Sequence, residues 1–198
     1  MYYSYIVWNY GVSGTCVSNG TAGTSDDLNY RNQAQYSEAM KSHPHVVILQ
    51  FGTNDVLHGG WNEEAFVINY SELISKFRGL VSKPTVYLIT PPPVQCDEKE
   101  EKSCENAMTW NTALSNAIQK VITKNNIIVI DAFSAMGGRE LKRKDLFTED
   151  YLHPNDLGYT SLAHTVAFVL SQNENFEFIS KNYHATQNTH KKRLLHQI

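Results

Sequence analysis

Three short, nearly uninterrupted apolar runs limit what this chain can become: residues 45–51 (HVVILQF), 84–90 (PTVYLIT) and 127–131 (IIVID). Runs of this length, rich in β-branched side chains and without polar alternation, suit strands covered on both faces, as in a parallel sheet. Between them lie stretches with apolar residues at helical spacing. Residues 63–81 place Val67, Tyr70, Ile74, Phe77 and Val81 on one side with Leu73 beside them. Residues 107–124 place Trp110, Leu114, Ala117, Ile118, Val121 and Ile122 in a second stripe. The order strand, helix, strand, helix, strand predicts an α/β fold in which helices cover a parallel sheet.

The flanks extend the pattern less strongly. Residues 5–10 (YIVWNY) are rich in β-formers and read as a strand that begins without any lead-in. A glycine-spaced turn, Gly11-Val12-Ser13-Gly14, and a polar loop follow. Residues 28–41 form a modest helical segment around Ala34, Ala39 and Met40, and residues 157–170 a closing helix with Tyr159, Leu162, Val166 and Val169 on one side. One domain over residues 1–171 is expected, followed by a polar tail over 172–198 with a basic cluster at Lys191, Lys192 and Arg193. The tail reads as solvated, with a short partner-binding helix through Leu194, Leu195 and Ile198 as the alternative.

Composition excludes some partners. A formal net charge of -3 gives no attraction to a polyanion, so no nucleic acid is expected. No window is apolar for long enough to predict a transmembrane segment. The first residues lack a basic leader, which favours the cytoplasm by default, but localisation stays open because the chain starts inside an element. Cys96 and Cys104 flank the acidic loop DEKEEKS; a bridge between them is conceivable, and two unpaired thiols is the plainer reading. The acceptors Asn19-Gly20-Thr21 and Asn69-Tyr70-Ser71 matter only in a secreted chain. His43, His45 and His58 make no His/Glu/Asp triplet with metal spacing, and no metal or cofactor is expected.

Four positions at the ends of elements carry candidate chemistry: Gly14, Asn54, Asp150 and His153. In parallel α/β sheets such ends converge on one edge. Asn54 offers an amide N–H, and Gly14 an unobstructed backbone N–H, to an oxygen that becomes negative as an ester carbonyl is attacked. His153 can take a proton from a hydroxyl and return it to a leaving group, with Asp150 fixing its tautomer. Each has a plainer reading: Gly-Thr-Asn-Asp as a turn that caps its strand, Asp-x-x-His as a surface histidine ahead of a helix, and Asn155 or Asp156 as that helix's N-cap. Trp61 and the loop 91–106 either border a pocket or simply pack.

Together the motifs NYGVSGTC (9–16), LQFGTNDV (49–56) and DYLHPNDLGY (150–159) resemble the SGNH hydrolases, the GDSL esterase/lipase superfamily, in the family's order over about residues 5–170. YLITPPPV (87–94) looks like a segment of its sialate O-acetylesterase-like and carbohydrate-ester members. The resemblance implies a three-layer α/β/α flavodoxin-like fold and a serine esterase acting on small acyl or acetyl esters of a carbohydrate or lipid. It implies oxyanion donors at Gly14 and Asn54, the general base at His153 and its orienting acid at Asp150.

The family's nucleophile sits in a Gly-Asp-Ser block after an internal first strand, upstream of the segment that NYGVSGTC matches. Only MYYSYIVW lies there in this sequence. The serine and its strand are therefore expected to be missing, and a longer protein is the favoured explanation. Ser13 and Ser4 are poor substitutes by position, and Cys16 has no basic neighbour in sequence to activate it. The alternative is a catalytically inactive relative that keeps a binding or regulatory role. Oligomeric state and substrate are not legible.

Overall fold

The computed structural model describes residues 6–18, 26–58, 60–141 and 143–172. The chain separates into two units, one spanning Tyr10–Thr165 and one formed by Met1–Asn9 with Val166–Ile198. The expected tail over 172–198 lies outside the described residues except at Gln172, as does the acceptor at Asn19.

The three apolar runs become the strands β1 (Val46–Leu49), β2 (Thr85–Ile89) and β3 (Ile128–Ile130), in the order β1-β2-β3 with both pairings parallel. Register is continuous, from Val46 opposite Thr85 to Leu49 opposite Leu88, then Tyr87 opposite Ile128. The expected α/β architecture, a parallel sheet flanked by helices, is thus observed. Among the described residues six α-helices accompany it: α1 (Ala34–Lys41), α2 (Thr53–Leu57), α3 (Glu63–Arg78), α4 (Glu101–Asn125), α5 (Ala132–Ala135) and α6 (Asp156–Ser171).

The residues explain the helix limits. Asn62 accepts the Ala65 N–H at 2.9 Å to start α3, Glu63 and Glu64 lie in its first turn, and Lys76 and Arg78 in its last, each sign favoured at that end of the dipole. It stops at Gly79 rather than at Val81, which is 89% exposed and leaves the stripe. Phe66, Tyr70, Leu73, Ile74 and Phe77 of α3 are buried, each stabilising the fold by about 2 kcal/mol against solvent exposure. They join Leu49, Val86 and Leu88 of the sheet and Leu114, Ala117, Ile118 and Val121 of α4 in one core. Asn69 sits within α3 with its amide donating to the Ala65 carbonyl at 2.7 Å, so that acceptor sequence is committed to helix contacts.

Three expectations need correction. Residues 6–10 form no strand, and Ile6, Val7 and Trp8 are 64%, 84% and 70% exposed; β-propensity is expressed only where a neighbouring strand and a buried face exist. The helix expected from residue 28 is divided into two short 3-10 helices, Asp26–Leu28 and Tyr30–Asn32, before α1 begins at Ala34. Asn29 interrupts it by turning its side chain onto the Arg31 N–H, the competition with helix that short polar side chains provide. Helix α4 starts at Glu101, not at 107, and its first turns carry charges with no apolar stripe to betray them.

Among the described residues β1 pairs on one side only. Its Ile48 is 38% exposed. A strand edge of this kind presents unpaired N–H and C=O groups that invite a neighbour.

Candidate active site

The buried half of the site begins where β1 ends. Gly52 has φ +128°, and a Cβ there would lie 2.5 Å from Leu114 Cδ1, so this turn needs glycine for both conformation and space. It delivers Thr53 and Asn54 into the first turn of α2. Asn54 Nδ2 donates to the Thr15 carbonyl at 3.1 Å, using one of its two N–H groups. That bond fixes the segment 12–15, where the Thr15 hydroxyl donates to the Val12 carbonyl at 2.8 Å and Gly14 takes φ +77°. A Cβ on Gly14 would meet nothing within 4 Å, and among the described residues the Gly14 N–H has no hydrogen-bond partner. The Asn54 amide is therefore fixed against the residue that follows Gly14.

Asp55 holds this half in place. It is 4% exposed, and its carboxylate accepts the Val17 N–H at 3.1 Å and the Ser18 N–H at 2.9 Å. Burial raises its pKa above the ordinary carboxylate range, while the Ser18 and Val17 donors pull the other way. Cys16 pairs with the Asn29 strip, its N–H donating to Leu28 at 2.8 Å and its carbonyl accepting from Tyr30 at 2.9 Å. The thiol is fully buried, and burial followed by the Asp55 charge pushes it up to about 12, which leaves no thiolate at neutral pH.

The exposed half is a tight turn between the short 3-10 helix Lys144–Leu146 and α6. His153 Nδ1 lies 2.6 Å from Asp150 Oδ2. A carboxylate only accepts, so Nδ1 carries a proton, and in the neutral ring the lone pair is then on Nε2. Asp150 Oδ1 accepts the Thr148 hydroxyl at 2.6 Å and the Leu152 and His153 N–H groups at 2.9 Å. The Thr148 hydroxyl, then the His153 ring and the His153 and Leu152 N–H groups hold this carboxyl well below the usual range. Between Asp150 and the two amides Tyr151 adopts φ +59°, a conformation costing about 1–2 kcal/mol in a residue with a side chain. The turn is closed by Thr148 N–H to the His153 carbonyl at 2.8 Å and by a bridge of Phe147 with Pro154.

Asn155 joins the turn to α6. Its Oδ1 accepts the Leu157 and Gly158 N–H groups at 3.0 and 3.1 Å, while its Nδ2 donates to the Asp145 and Phe147 carbonyls at 2.8 and 2.9 Å. Of the two N-cap candidates, Asn155 is the one used.

The four expected residues thus fall into two pairs, Asp150 in direct contact with His153, and Asn54 bonded to Thr15, next to Gly14. Among the described residues no hydrogen bond joins the pairs, and His153 Nε2 bonds nothing. Asp55 and Thr148 are not distinguished by sequence pattern, although each lies inside or beside a motif, whereas Asn155 reads only as an N-cap candidate. Trp61 packs on Phe66 with ring centroids 5.2 Å apart, the packing alternative for this residue. Cys96 and Cys104 are disulfide-bonded, the less plain of their two readings. Pro91 and Pro92 border a cleft of about 600 Å³ with Asp131, Phe133 and Arg139, which includes none of the four.

The profile of the GDSL-like Lipase/Acylhydrolase family matches residues 2–160. The chain belongs to this family of ester hydrolases. Solved structures agree with the fold of this GDSL-like chain. The acetyl xylan esterase AlAXEase is 25% identical with a TM-score of 0.54, over 79% of this chain and 76% of that one. An acetylxylan esterase from Geobacillus stearothermophilus is 18% identical with a TM-score of 0.56, over 79% and 68%. A GDSL-like lipase from Bacteroides thetaiotaomicron is 18% identical with a TM-score of 0.53, over 70% of each chain. No curated protein matches the chain in sequence. Among the described residues no helix is long and apolar enough to cross a membrane.

Proposed function

We propose that this GDSL-like domain carries the base and two oxyanion donors of a serine esterase acting on small acyl esters, with acetyl esters of a carbohydrate as the preferred class. The observation that carries the reading is the His153 Nδ1 to Asp150 Oδ2 contact of 2.6 Å, with Nε2 left open for a hydroxyl. In this mechanism Nε2 removes the proton of a serine as its oxygen attacks the ester carbonyl, and Asp150 stabilises the imidazolium. The Gly14 N–H and the second Asn54 amide N–H receive the oxyanion, a donor of this kind being worth about 3 kcal/mol of barrier. His153 then protonates the departing alcohol, and the same base activates water to release the acid. The choice of acetylated sugar rests on the similarity to an acetyl xylan esterase at 25% identity; sialate O-acetyl esters and lipid esters belong to the same reaction class.

The nucleophile of this mechanism is a serine outside these 198 residues, on a Gly-Asp-Ser turn at the end of a strand that pairs with the edge of β1 that no described strand covers. The support is that edge, together with the absence of any described partner for Nε2. The test is to read the coding frame ahead of Met1 and express both lengths. A longer chain with Gly-Asp-Ser is expected to hydrolyse p-nitrophenyl acetate and acetylated xylo-oligosaccharide, and His153→Ala to lower kcat about a thousandfold. The 198-residue chain is expected to show only background that survives His153→Ala. Hydrolysis by the short chain that disappears in His153→Ala would place the nucleophile within it. A longer chain that binds acetylated sugar without turnover would favour the inactive binding relative.

A further inference from the structure

The turn bearing His153 is unlike the rest of the site in being exposed and conformationally strained, so something outside it must hold it. The segment around Cys96 meets it at three points. The Gln95 N–H donates to the Tyr151 carbonyl at 2.8 Å, at the residue with φ +59°. Leu152 packs against the cluster of Val94, Cys96 and Ala107, which Cys104 also joins. Glu98 pairs with Lys144 Nζ at 3.1 Å, and the same ammonium lies 5.7 Å from the centre of the Tyr151 ring.

This supporting segment is itself costly to keep folded. Gln95 is 2% exposed, and among the described residues neither its Nε2 nor its Oε1 has a hydrogen-bond partner. A buried amide without partners favours opening of the segment toward water. Two restraints oppose this: Asn111, whose amide bonds both the Val94 N–H and carbonyl at 2.9 Å, and the disulfide from Cys96 to Cys104 in the first turn of α4.

We propose that the Cys96–Cys104 disulfide is a positioning element for the Asp150–His153 pair, acting through Gln95 and Leu152, and that its reduction releases the histidine turn. With a dithiol as reductant, one thiolate attacks Cys104 Sγ, the half-buried sulfur, and the S–S bond breaks with its electron pair leaving on Cys96. The second thiol of the reagent displaces Cys104 from the mixed disulfide. The products are two protein thiols and the reagent's own disulfide, with two electrons and two protons transferred to the cysteines. Val94–Cys96 then keeps Asn111 and its contacts with the turn but loses the crosslink to α4, the Gln95 amide gains access to water, and the contact that stabilises the Tyr151 backbone conformation is weakened.

The consequence for catalysis rests on His153 being the base, but the test reads the turn itself and needs no hydrolysis. Amide hydrogen exchange and the ring-nitrogen proton signals of the full chain are compared before and after dithiothreitol treatment, and in Cys96→Ser/Cys104→Ser. Reduction is expected to speed exchange of the Leu152 and His153 amides about tenfold or more and to remove the low-field Nδ1 proton signal of His153, with Val86 and Leu88 amides of β2 unchanged. Leu152→Ala in the oxidised chain should reproduce both changes, and Leu152→Met should not. Less than about twofold acceleration at Leu152 and His153, retention of the Nδ1 signal, or equal acceleration in β2, would overturn the proposal.

Discussion

The two halves of the site use the same chemical device in opposite surroundings. In each, a carboxylate gathers backbone N–H groups and thereby sets the path of a loop: Asp55 gathers those of Val17 and Ser18, Asp150 those of Leu152 and His153. Asp55 is buried and ties together segments 37 and 38 residues apart, whereas Asp150 is half-exposed and works across two or three residues. The buried carboxylate makes the loop that follows Gly14 part of the core. The exposed one makes the histidine turn a local structure whose persistence depends on neighbours such as Gln95 and Asn155. Under the proposed mechanism, a base that must meet solvent and substrate gains from that placement, while donors that must stay fixed gain from the other.

The sharpest way to break the comparison is to remove the buried carboxylate. Asp55→Ala leaves two buried N–H groups without acceptors and opens a cavity, and should lower unfolding free energy by about 3 kcal/mol in a urea titration. Asp150→Ala, with its donors free to meet water, should lower it by less than about 1 kcal/mol. Equal losses would show that the two halves are anchored alike.

A second contrast divides the two glycines of the buried half. Gly52→Ala would drive a methyl to 2.5 Å from Leu114 Cδ1 at φ +128°, and should destabilise the chain by about 2–3 kcal/mol. Gly14→Ala meets open space and should cost only about 1 kcal/mol, the penalty of φ +77° alone. Thermal unfolding of the two variants side by side checks the order.

How much of this was legible follows the same division. The strands β1, β2 and β3 are readable because burial on both faces leaves a continuous apolar run, and α3 because Phe77, Ile74 and Tyr70 recur at its period. Gly14, Asn54, Asp150 and His153 are readable as motif positions, because the chemistry expected of them requires particular residue types. Asp55 carries no local signal, since its acceptor role depends on a segment 38 residues away. The first turns of α4 are invisible to periodicity because they present charges to solvent, and the Cys96–Cys104 pairing depends on a helix start that this pattern conceals. Residues 6–10 show the converse failure: strong β-formers with no described strand beside them make no strand.

Asn155→Ala tests how the exposed half is joined to its helix. The substitution removes the cap on Leu157 and Gly158 and two donors to the preceding loop, and should cost about 1–2 kcal/mol. The loss should appear as faster amide exchange in the first turn of α6, with β2 unaffected. Asn155→Asp keeps the cap acceptor but not the donors, so it should recover part of the loss.

The smallest effect is the most diagnostic, because the two carboxylates must respond to pH with opposite sign. The pKa of Asp55 is raised in the fold, so between its ordinary value near 4 and the raised value the native chain holds more protons than the unfolded one. Unfolding free energy from this group therefore falls as pH rises through that window. The pKa of Asp150 is lowered, so its contribution is fully present above about pH 4 and is lost as pH falls below that value toward the lowered one. Half-exposure of Asp150 keeps its share below about 1 kcal/mol. Urea titrations from pH 3 to 7 should therefore show the wild type minus Asp55→Asn difference declining with rising pH above about 4, and the wild type minus Asp150→Asn difference declining with falling pH below it. Two differences of the same sign would mean that the loop that follows Gly14, too, is held by a solvated carboxylate, and the contrast between the halves would collapse.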